Sequence, residues 1–240
     1  DENLNDGRPT VAALGGLFRD ETEAAYRLER SVVLALAHGR TIEGGWEPPK
    51  AVPEGKVGDL EHRARFEIPA SGRSLTENLR LQAFPRFGIF VFRSDRLYLL
   101  INASDNGQKG TAGHAHNDKL SFELIIDGKI LFEDPGTYVY TASSSLRNSF
   151  RSVCAHNTIQ TGIEQSDFLT PFAMKDGTKC RLLSIENESI CVEVTYKHVI
   201  HRRRIQILPE QVEVTDFCNV PFQCNFTLGE RTAGYGKRLG

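Results

Sequence analysis

Short segments of alternating apolar and polar residues dominate the chain from residue 64 onward. They are rich in β-branched and aromatic residues, and turn-forming pairs such as Asp127-Gly128 and Pro209-Glu210 separate them. Twelve such segments occur: RFEIP, LRLQAF, GIFVFRS, RLYLLINA, KLSFELII, KILFED, NTIQTG, KCRLLSIE, SICVEVTY, RRRIQILP, QVEVTDFC and QCNFTLGE. With only one good helical pattern beside them, they predict a mainly β fold: a large antiparallel two-sheet β-sandwich with a short N-terminal helical segment.

The first sixty residues have a different pattern. Asp20 is a suitable N-cap for a helix over ETEAAYRLERSVVLALAHG, which Gly39 would end. The following run, TIEGGWEPPKAVPEGKVGD, is rich in Gly and Pro and is typical of a linker. We therefore predict a helical segment and linker over residues 1–60 and a β-sandwich domain over residues 61–240.

One predicted β-hairpin carries the candidate chemistry. Its first strand runs through Phe122 and Leu124, and Asp127-Gly128 forms the turn. A two-residue loop would turn Asp134 away from the Phe122 side. A three-residue bulged loop, with Gly128 in the left-handed position, would pair Leu124 with Ile130 and Phe122 with Phe132. We expect the bulged register, because a one-residue slip would scatter the large apolar side chains over both faces.

The bulged register also predicts which polar side chains meet. It places Asp134 on the face shared by His114 and His116 and sets Tyr138 and Tyr140 roughly opposite the two histidines. This geometry assumes that the strand pairing persists beyond Pro135-Gly136.

Two histidines and a carboxylate from three separate segments form a candidate metal site. His116, Asp134 and His156 offer two imidazole nitrogens and a carboxylate oxygen, which suit a borderline metal such as zinc and leave a fourth position for water. The separations of 18 and 22 residues match no local metal-binding motif. By spacing alone, an HxH pair lies on an ordinary strand more often than at a metal site.

Other polar residues near this hairpin have a functional and a structural interpretation. Tyr138 and Tyr140 could transfer protons if neighbouring cations lower their pKa, or they could be core or rim aromatics. Arg147 and Arg151 form a pair suited to a uronate carboxylate, or they are surface arginines near a turn. Asn157 is a candidate for orienting the metal ligands.

The basic run His201-Arg202-Arg203-Arg204 opens a predicted strand. We interpret it as a solvated or sheet-edge feature rather than an anion site.

Composition narrows the function classes only a little. The 240 residues are 40% hydrophobic, enough for a sizeable core, and the formal charge of −2 indicates no general preference for nucleic acid or acidic polymer. No apolar run approaches the roughly 20 residues that a membrane span needs. The five cysteines include no CxxC spacing and do not indicate a disulfide framework, although Cys180 with Cys191, or Cys218 with Cys224, could pair.

The run GHAHNDKLSFELIIDGKILFEDPGTYVY, followed by LRNSFRSVCAHNT, resembles the signature of the heparinase II/III-like family of polysaccharide lyases. That pattern consists of HxH, a strand, DPGTY and RSxxAHNT, and the resemblance spans roughly residues 86 to 228. Members act on heparan-type and alginate-type polymers. The resemblance implies β-elimination on a uronic-acid-containing polysaccharide, an anionic polysaccharide as partner, and a bacterial periplasmic or secreted location.

The resemblance also implies roles for individual residues. The first histidine of HxH faces the substrate cleft, and the zinc is structural or organises the site. Together with the arginine pair considered above, the candidate site is as follows: catalytic His114, Tyr140 and, as an alternative, Tyr138; substrate-binding Arg147 and Arg151; zinc-binding His116, Asp134 and His156.

Full-length members of the family combine a large helical toroid with the sandwich, and the toroid supplies part of the proton-transfer machinery. The resemblance thus implies that a toroid domain is missing here and that lyase activity depends on it. A non-catalytic carbohydrate-binding or structural sandwich is the first alternative. A cupin-like metalloprotein, suggested by HxH with Glu123 and Gly128, is the second, but its spacing fits less well because Gln108 stands where cupins have Gly.

Overall fold

The structure is a computed structural model that describes residues 59–104, 106 and 112–224, with the backbone of 231–234 and 237–239. The predicted N-terminal helix and most of the linker lie outside the described residues. The elements are β1 His62–Pro69, β2 Arg80–Phe84, β3 Ile89–Arg93, β4 Leu97–Asn102, β5 Phe122–Ile126, β6 Lys129–Phe132, α1 Ser144–Arg151, β7 Ile159–Gln160, β8 Asp167–Thr170, β9 Ala173–Lys175, β10 Lys179–Glu186, β11 Ser189–Tyr196, β12 Val199–Leu208, β13 Gln211–Cys218, β14 Gln223–Cys224, β15 Arg231–Gly234 and β16 Lys237–Leu239.

Two five-stranded antiparallel sheets form the body of the fold. The front sheet has the order β2-β3-β4-β5-β6, and the back sheet has the order β1-β13-β12-β11-β10. Three two-stranded ladders, β7 with β14, β8 with β9 and β15 with β16, complete the described strands. The mainly β, antiparallel two-sheet architecture predicted from the sequence is confirmed.

The alternation of side chains along the strands explains why the sheets pack face to face. In β4, Leu97, Leu99 and Ile101 are buried while the residues between them are partly exposed. They join one apolar cluster with residues of the back sheet such as Ile205 and Val214. Burial of these side chains contributes roughly 1.5–3 kcal/mol each and fixes which face of each sheet points inward.

The β5–β6 hairpin differs from the predicted register. Asp127 and Gly128 both have positive φ, at 52° and 74°, and form a two-residue turn that pairs Ile126 with Lys129. The bulge lies further along β6, so that Leu124 pairs with Phe132 instead of Ile130. The prediction placed the bulge at the turn and was wrong in that respect.

The displaced bulge still brings the apolar side chains of the hairpin to one face. The ring of Phe132 packs against that of Phe122 with centroids 5.0 Å apart. Ile130 is the exception, since its side chain is 41% exposed rather than inside. Strand pairing ends at Phe132, so the assumed continuation past Pro135-Gly136 is also wrong.

The helix α1 was not predicted from the sequence. Ser143 caps it by accepting a hydrogen bond from the Leu146 amide at 3.3 Å, and Arg147, Phe150 and Arg151 form its buried face. A 3₁₀ turn over Val153–Ala155 follows directly and leads into His156. The β8–β9 hairpin was also missed, because its strands are short and largely exposed.

The basic run at 201–204 lies in a central strand of the back sheet, which corrects the solvated or sheet-edge interpretation. His201 and Arg203 point inward and are 0% and 1% exposed. Arg203 pairs across the strands with the buried Asp216. The neighbouring Arg202, only slightly exposed, pairs with Glu193 at 2.7 Å.

Gly88 is a position where a side chain cannot be accommodated. Its φ is +68°, and an added Cβ would lie 2.2 Å from the Ala103 carbonyl oxygen. We expect Gly88→Ala to lower the free energy of unfolding by about 2–3 kcal/mol, because both the backbone and its neighbour must shift. Urea denaturation would measure it. Gly128→Ala is the control, since Gly128 has a similar φ but no atom near its Cβ, and about 1 kcal/mol is expected there. Equal losses in the two variants would contradict the steric argument.

Two general features complete the description. Within the described residues, no helix has both the length and the apolar composition needed to cross a membrane. No disulfide joins any of the five cysteines, all of which are described, so neither Cys180–Cys191 nor Cys218–Cys224 is paired.

Candidate metal centre and cleft

The three predicted metal ligands converge although they come from three different segments. His116 lies in the loop before β5, Asp134 follows β6, and His156 follows the 3₁₀ turn. One donor atom from each lies within 4.8 Å of the others. That distance is short enough for a small side-chain adjustment to bring all three to about 2.0–2.2 Å from one ion.

His156 provides the strongest sign that the cluster fits a cation. Its side chain is almost fully buried, and neither ring nitrogen has a hydrogen-bond partner. Nδ1 lies 3.0 Å from Asp134 Oδ2, close enough for an ion pair but without the alignment of a hydrogen bond. Buried nitrogens without a partner are costly, and a shared metal ion would satisfy one of them.

The electrostatics keep His116 and Asp134 in the protonation states that metal binding needs. Burial, with a smaller effect of His156, lowers the pKa of His116 to about 4, so this imidazole is neutral at pH 7. Partial burial raises the pKa of Asp134, but the short contact with His156 and the hydrogen bond from the Gly136 amide outweigh it and lower the pKa overall. A neutral imidazole and an ionised carboxylate are both ready to act as ligands.

Local hydrogen bonds hold Asp134 and the segment that carries His156. Asp134 Oδ1 accepts from the Gly136 amide at 2.8 Å, which orients the carboxylate. Asn157 donates to the carbonyls of Phe122 at 3.3 Å and Glu133 at 3.0 Å, so it joins the His156 segment to the strand that leads into Asp134. The predicted orienting role of Asn157 therefore has a structural basis, through the backbone rather than through the ligands themselves.

The cluster lies in the wall of a cavity of about 550 Å³. His114 lines the same cavity and is exposed, and its ring makes an edge contact with Tyr140 at a centroid distance of 5.8 Å. Tyr138 packs instead against Phe150 at 5.2 Å, and neither tyrosine lines the cavity. Of the two tyrosines, Tyr140 is the one that contacts the candidate catalytic histidine.

The predicted substrate-binding arginines occupy a different environment from the one expected. Arg147 and Arg151 are both 0% exposed and do not line the cavity. Their guanidinium groups bind backbone carbonyls around the HxH loop. The surface interpretation of these residues is wrong, and their contact with substrate stays a prediction.

Several polar residues of the cavity were not singled out as site residues. They are Asn102, Asn106, Asp118, Lys119 and Glu123. Burial, followed by the charges of Asp134 and Glu133, raises the pKa of Glu123. Glu123 is not part of the three-donor group, so the cupin-like arrangement does not occur among the described residues.

Glu164 is a further missed residue that connects two parts of the site. Its Oε2 accepts from Asn117 Nδ2 at 2.6 Å and from the Val153 amide at 3.0 Å, and its Oε1 accepts from the Ser152 hydroxyl. It therefore joins the HxH segment to the turn before His156. No local sequence pattern marks Glu164, because its partners lie 11 to 47 residues away.

Arg203 supports the site from the back sheet. Its Nη1 donates to the carbonyls of Leu120 and Asn157, both at 2.6 Å, and its other nitrogens bind the Asp216 carboxylate at 2.8 Å. Burial raises the pKa of Asp216, but the charge of Arg203 and the contact with His201 outweigh it and hold the pKa far below its usual range. The backbone next to His156 thus rests on a buried ion pair.

Comparison with known proteins finds a matching family and similar sequences. The heparinase II/III-like, C-terminal family matches residues 76–223. A heparin-sulfate lyase of Bacteroides stercoris is 32% identical over 134 residues, which cover 52% of this chain and 18% of the lyase. A heparin-sulfate lyase of Bacteroides thetaiotaomicron is 27% identical over 148 residues, covering 57% and 20%.

A solved structure of a heparinase III gene product is 26% identical, with 52% of this chain and 19% of that protein covered and a TM-score of 0.41. The matched region thus spans about a fifth of the length of these relatives.

Proposed function

The chain belongs to the heparinase II/III-like, C-terminal family, and from this premise we propose that it is the zinc-binding β-sandwich of a polysaccharide lyase. The proposed reaction is β-elimination on a uronic-acid-containing glycosaminoglycan. The observation that carries the proposal is the convergence of His116, Asp134 and His156 on one cavity with the exposed His114 beside them. The curated relatives are both heparin-sulfate lyases, which supports the substrate class.

His116, Asp134 and His156 would hold the zinc ion. When bound, zinc would supply positive charge and a fixed geometry to this wall of the cavity. The proposed ligands fit it because two imidazoles and a carboxylate are its usual donors, and His156 brings buried nitrogens that lack other partners. The alginate-type substrates of the wider family fit the same chemistry but lack support from the two relatives.

The proposed elimination combines two proton transfers with cleavage of one C–O bond. A base removes the C5 proton of the uronate, the electron pair forms the C4–C5 double bond, and the C4–O4 bond breaks as O4 takes up a proton. His114 is exposed in the cavity and would contact the uronate carboxylate or O4, while the Tyr140 phenol beside it would transfer a proton. The family resemblance places the remaining proton-transfer group in a helical toroid domain, and in this proposal the complete enzyme has one. A periplasmic or secreted location belongs to the same proposal, since such polymers are met outside the cytoplasm.

Elemental analysis of the purified chain tests the metal site. We expect about one zinc per chain in the wild type and loss of that zinc in His156→Ala, because the variant retains only two donors. His198→Ala is the matched control, since His198 is exposed and lies outside the cluster. A zinc-free wild-type protein, or full zinc in His156→Ala, would contradict the assignment.

A product assay tests the lyase proposal separately. The chain, alone and joined to the toroid-containing remainder of its full-length protein, would be incubated with heparan sulfate, and ultraviolet absorbance would report the unsaturated uronate. We expect product from the full-length protein and its loss in His114→Ala. Binding of heparan sulfate without product from either form would favour a non-catalytic carbohydrate-binding module. This is the second candidate function, because the match covers only about a fifth of each relative.

A further inference from the structure

We propose that Arg147 and Arg151 of α1 are positioning residues that clamp the loop from Ala112 to Asn117 and thereby fix His114 against Tyr140. The inference rests on the proposed function for the role of His114, but its geometry stands on the described contacts alone. It differs from the direct contact with a uronate carboxylate that the sequence suggested for these arginines.

Arg147 reaches both members of the His114–Tyr140 pair. Its Nη2 donates to the Gly113 carbonyl at 2.8 Å, directly before His114. Its guanidinium carbon lies 4.6 Å from the centre of the Tyr140 ring and 5.1 Å from that of Phe172. Because the two rings are stacked with an angle of 4° between them, Tyr140 is held by Phe172 and Arg147 together.

Arg151 holds the rest of the loop. Its Nε donates to the Ala115 carbonyl at 3.1 Å, between the two histidines of HxH, and its Nη2 donates to the Ala112 carbonyl at 3.4 Å. The carbonyl of Arg151 itself accepts from the Asn117 amide at 2.8 Å. The loop is therefore bound to α1 before, between and after its histidines.

The spacing of the arginines is what makes the clamp possible. Residues four apart lie on one face of a helix, so both guanidinium groups point at the same loop. Both also bind the Pro171 carbonyl at the tip of the β8–β9 hairpin, which joins the hairpin to the clamp. Among the described residues, neither arginine forms an ion pair with a carboxylate.

Arg147 and Arg151 are buried without a carboxylate partner, which indicates a role beyond stabilising the fold. Burial lowers the pKa of both arginines, that of Arg151 to about 10, so the protein bears a cost for keeping them charged. All three guanidinium nitrogens of each residue already contact backbone carbonyls or, for Arg151, also Asn148. Neither side chain lines the cavity, so the proposal assigns them to the loop rather than to a substrate carboxylate.

The test is a spectrum of the free, zinc-loaded chain. In a ¹³C–¹H correlation spectrum of histidine-labelled protein, the His114 ring signal is assigned by its absence in His114→Gln. Arg147→Lys is expected to shift and broaden this signal, because one ammonium group cannot hold the Gly113 carbonyl and stack on Tyr140 at once. The His62 and His198 signals serve as internal references, and Arg202→Lys is the matched control for losing a well-buried guanidinium elsewhere.

Steady-state kinetics of the full-length protein give the second readout. Arg147→Lys is expected to lower kcat on heparan sulfate by about 100-fold, as misplacement of a reacting group by an ångström does, with KM changed less than about threefold. An unchanged His114 signal would overturn the proposal, and a KM raised tenfold at constant kcat would assign the arginine to substrate contact instead.

A second variant keeps the proposal testable if Arg147→Lys does not fold. Phe172 is 44% exposed, so Phe172→Ala is expected to fold, and it removes one side of the ring stack. We expect the His114 signal to move in the same direction by a smaller amount, and no movement would overturn the proposal. Because these spectra need no substrate, they still test the positioning role of Arg147 if the lyase proposal fails.

Discussion

Replacing Asp216 by asparagine is expected to lower the free energy of unfolding by about 3–5 kcal/mol, because it leaves the buried guanidinium of Arg203 without its counter-charge. Asp216 is fully buried and binds Arg203 through both carboxylate oxygens at 2.8 Å. It also receives a contact from His201 Nε2 at 2.8 Å. An asparagine keeps the volume but supplies neither the charge nor the second acceptor.

Urea denaturation at pH 7 measures this loss, and Asp167→Asn is its control. Asp167 pairs with Lys197 at 2.7 Å, but both side chains are well exposed, so a loss below about 1 kcal/mol is expected. The pKa of Asp216 is depressed on folding, so its stabilisation is present above the unfolded pKa of about 3.9 and is lost as the pH falls further. Equal losses in the two variants would contradict the buried-pair argument.

His116→Ala is expected to abolish the stabilisation that zinc gives the protein. A ligand at about 1,000 times its Kd stabilises the folded state by about 4 kcal/mol, and removing one of three donors removes most of that affinity. We therefore expect a chelator to lower the unfolding free energy of the wild type and to leave that of His116→Ala nearly unchanged.

The measurement is urea denaturation with added zinc and with chelator, for the wild type and for His116→Ala and His114→Ala. His114→Ala is the matched control, because His114 belongs to the same loop but not to the three-donor group. It should retain the zinc effect in full. If zinc stabilises His116→Ala as strongly as the wild type, His116 is not a ligand.

The architecture could be predicted from the sequence because the alternation of apolar and polar residues along a strand follows directly from the burial of one face. Where one face of a strand packs on a core, as in β4 and β5, the apolar residues must recur at every second position. The convergence of His116, Asp134 and His156 could be anticipated only through the family pattern, since separations of 18 and 22 residues have no local geometry.

The hairpin register could not be fixed in the same way. A bulge at the turn and a bulge near Leu124 leave almost the same apolar face, so the pattern does not distinguish them. In the observed register the Ile130 side chain is left partly exposed to solvent.

The buried Arg203 was missed although the sequence contains the means to find it. A two-residue turn at Pro209-Glu210 pairs Leu208 with Gln211, and counting back along the hairpin places Arg203 opposite Asp216. The positive charge of Arg203 alone suggested that the side chain is exposed to solvent, because a basic residue is usually exposed unless it is paired. The partner lies 13 residues later and is found only when the hairpin register is counted.

Arg203 also determines how the candidate site would open. Its Nη1 bonds to the Leu120 and Asn157 carbonyls would break if either segment moved away, leaving donors buried without acceptors. We therefore expect the front loops and the back sheet to unfold together, so that the amides of the Leu120 and Asn157 segments exchange with solvent mainly through global unfolding. A chain that stopped before β12 would retain every candidate site residue and yet lack the side chain that holds their backbone in place.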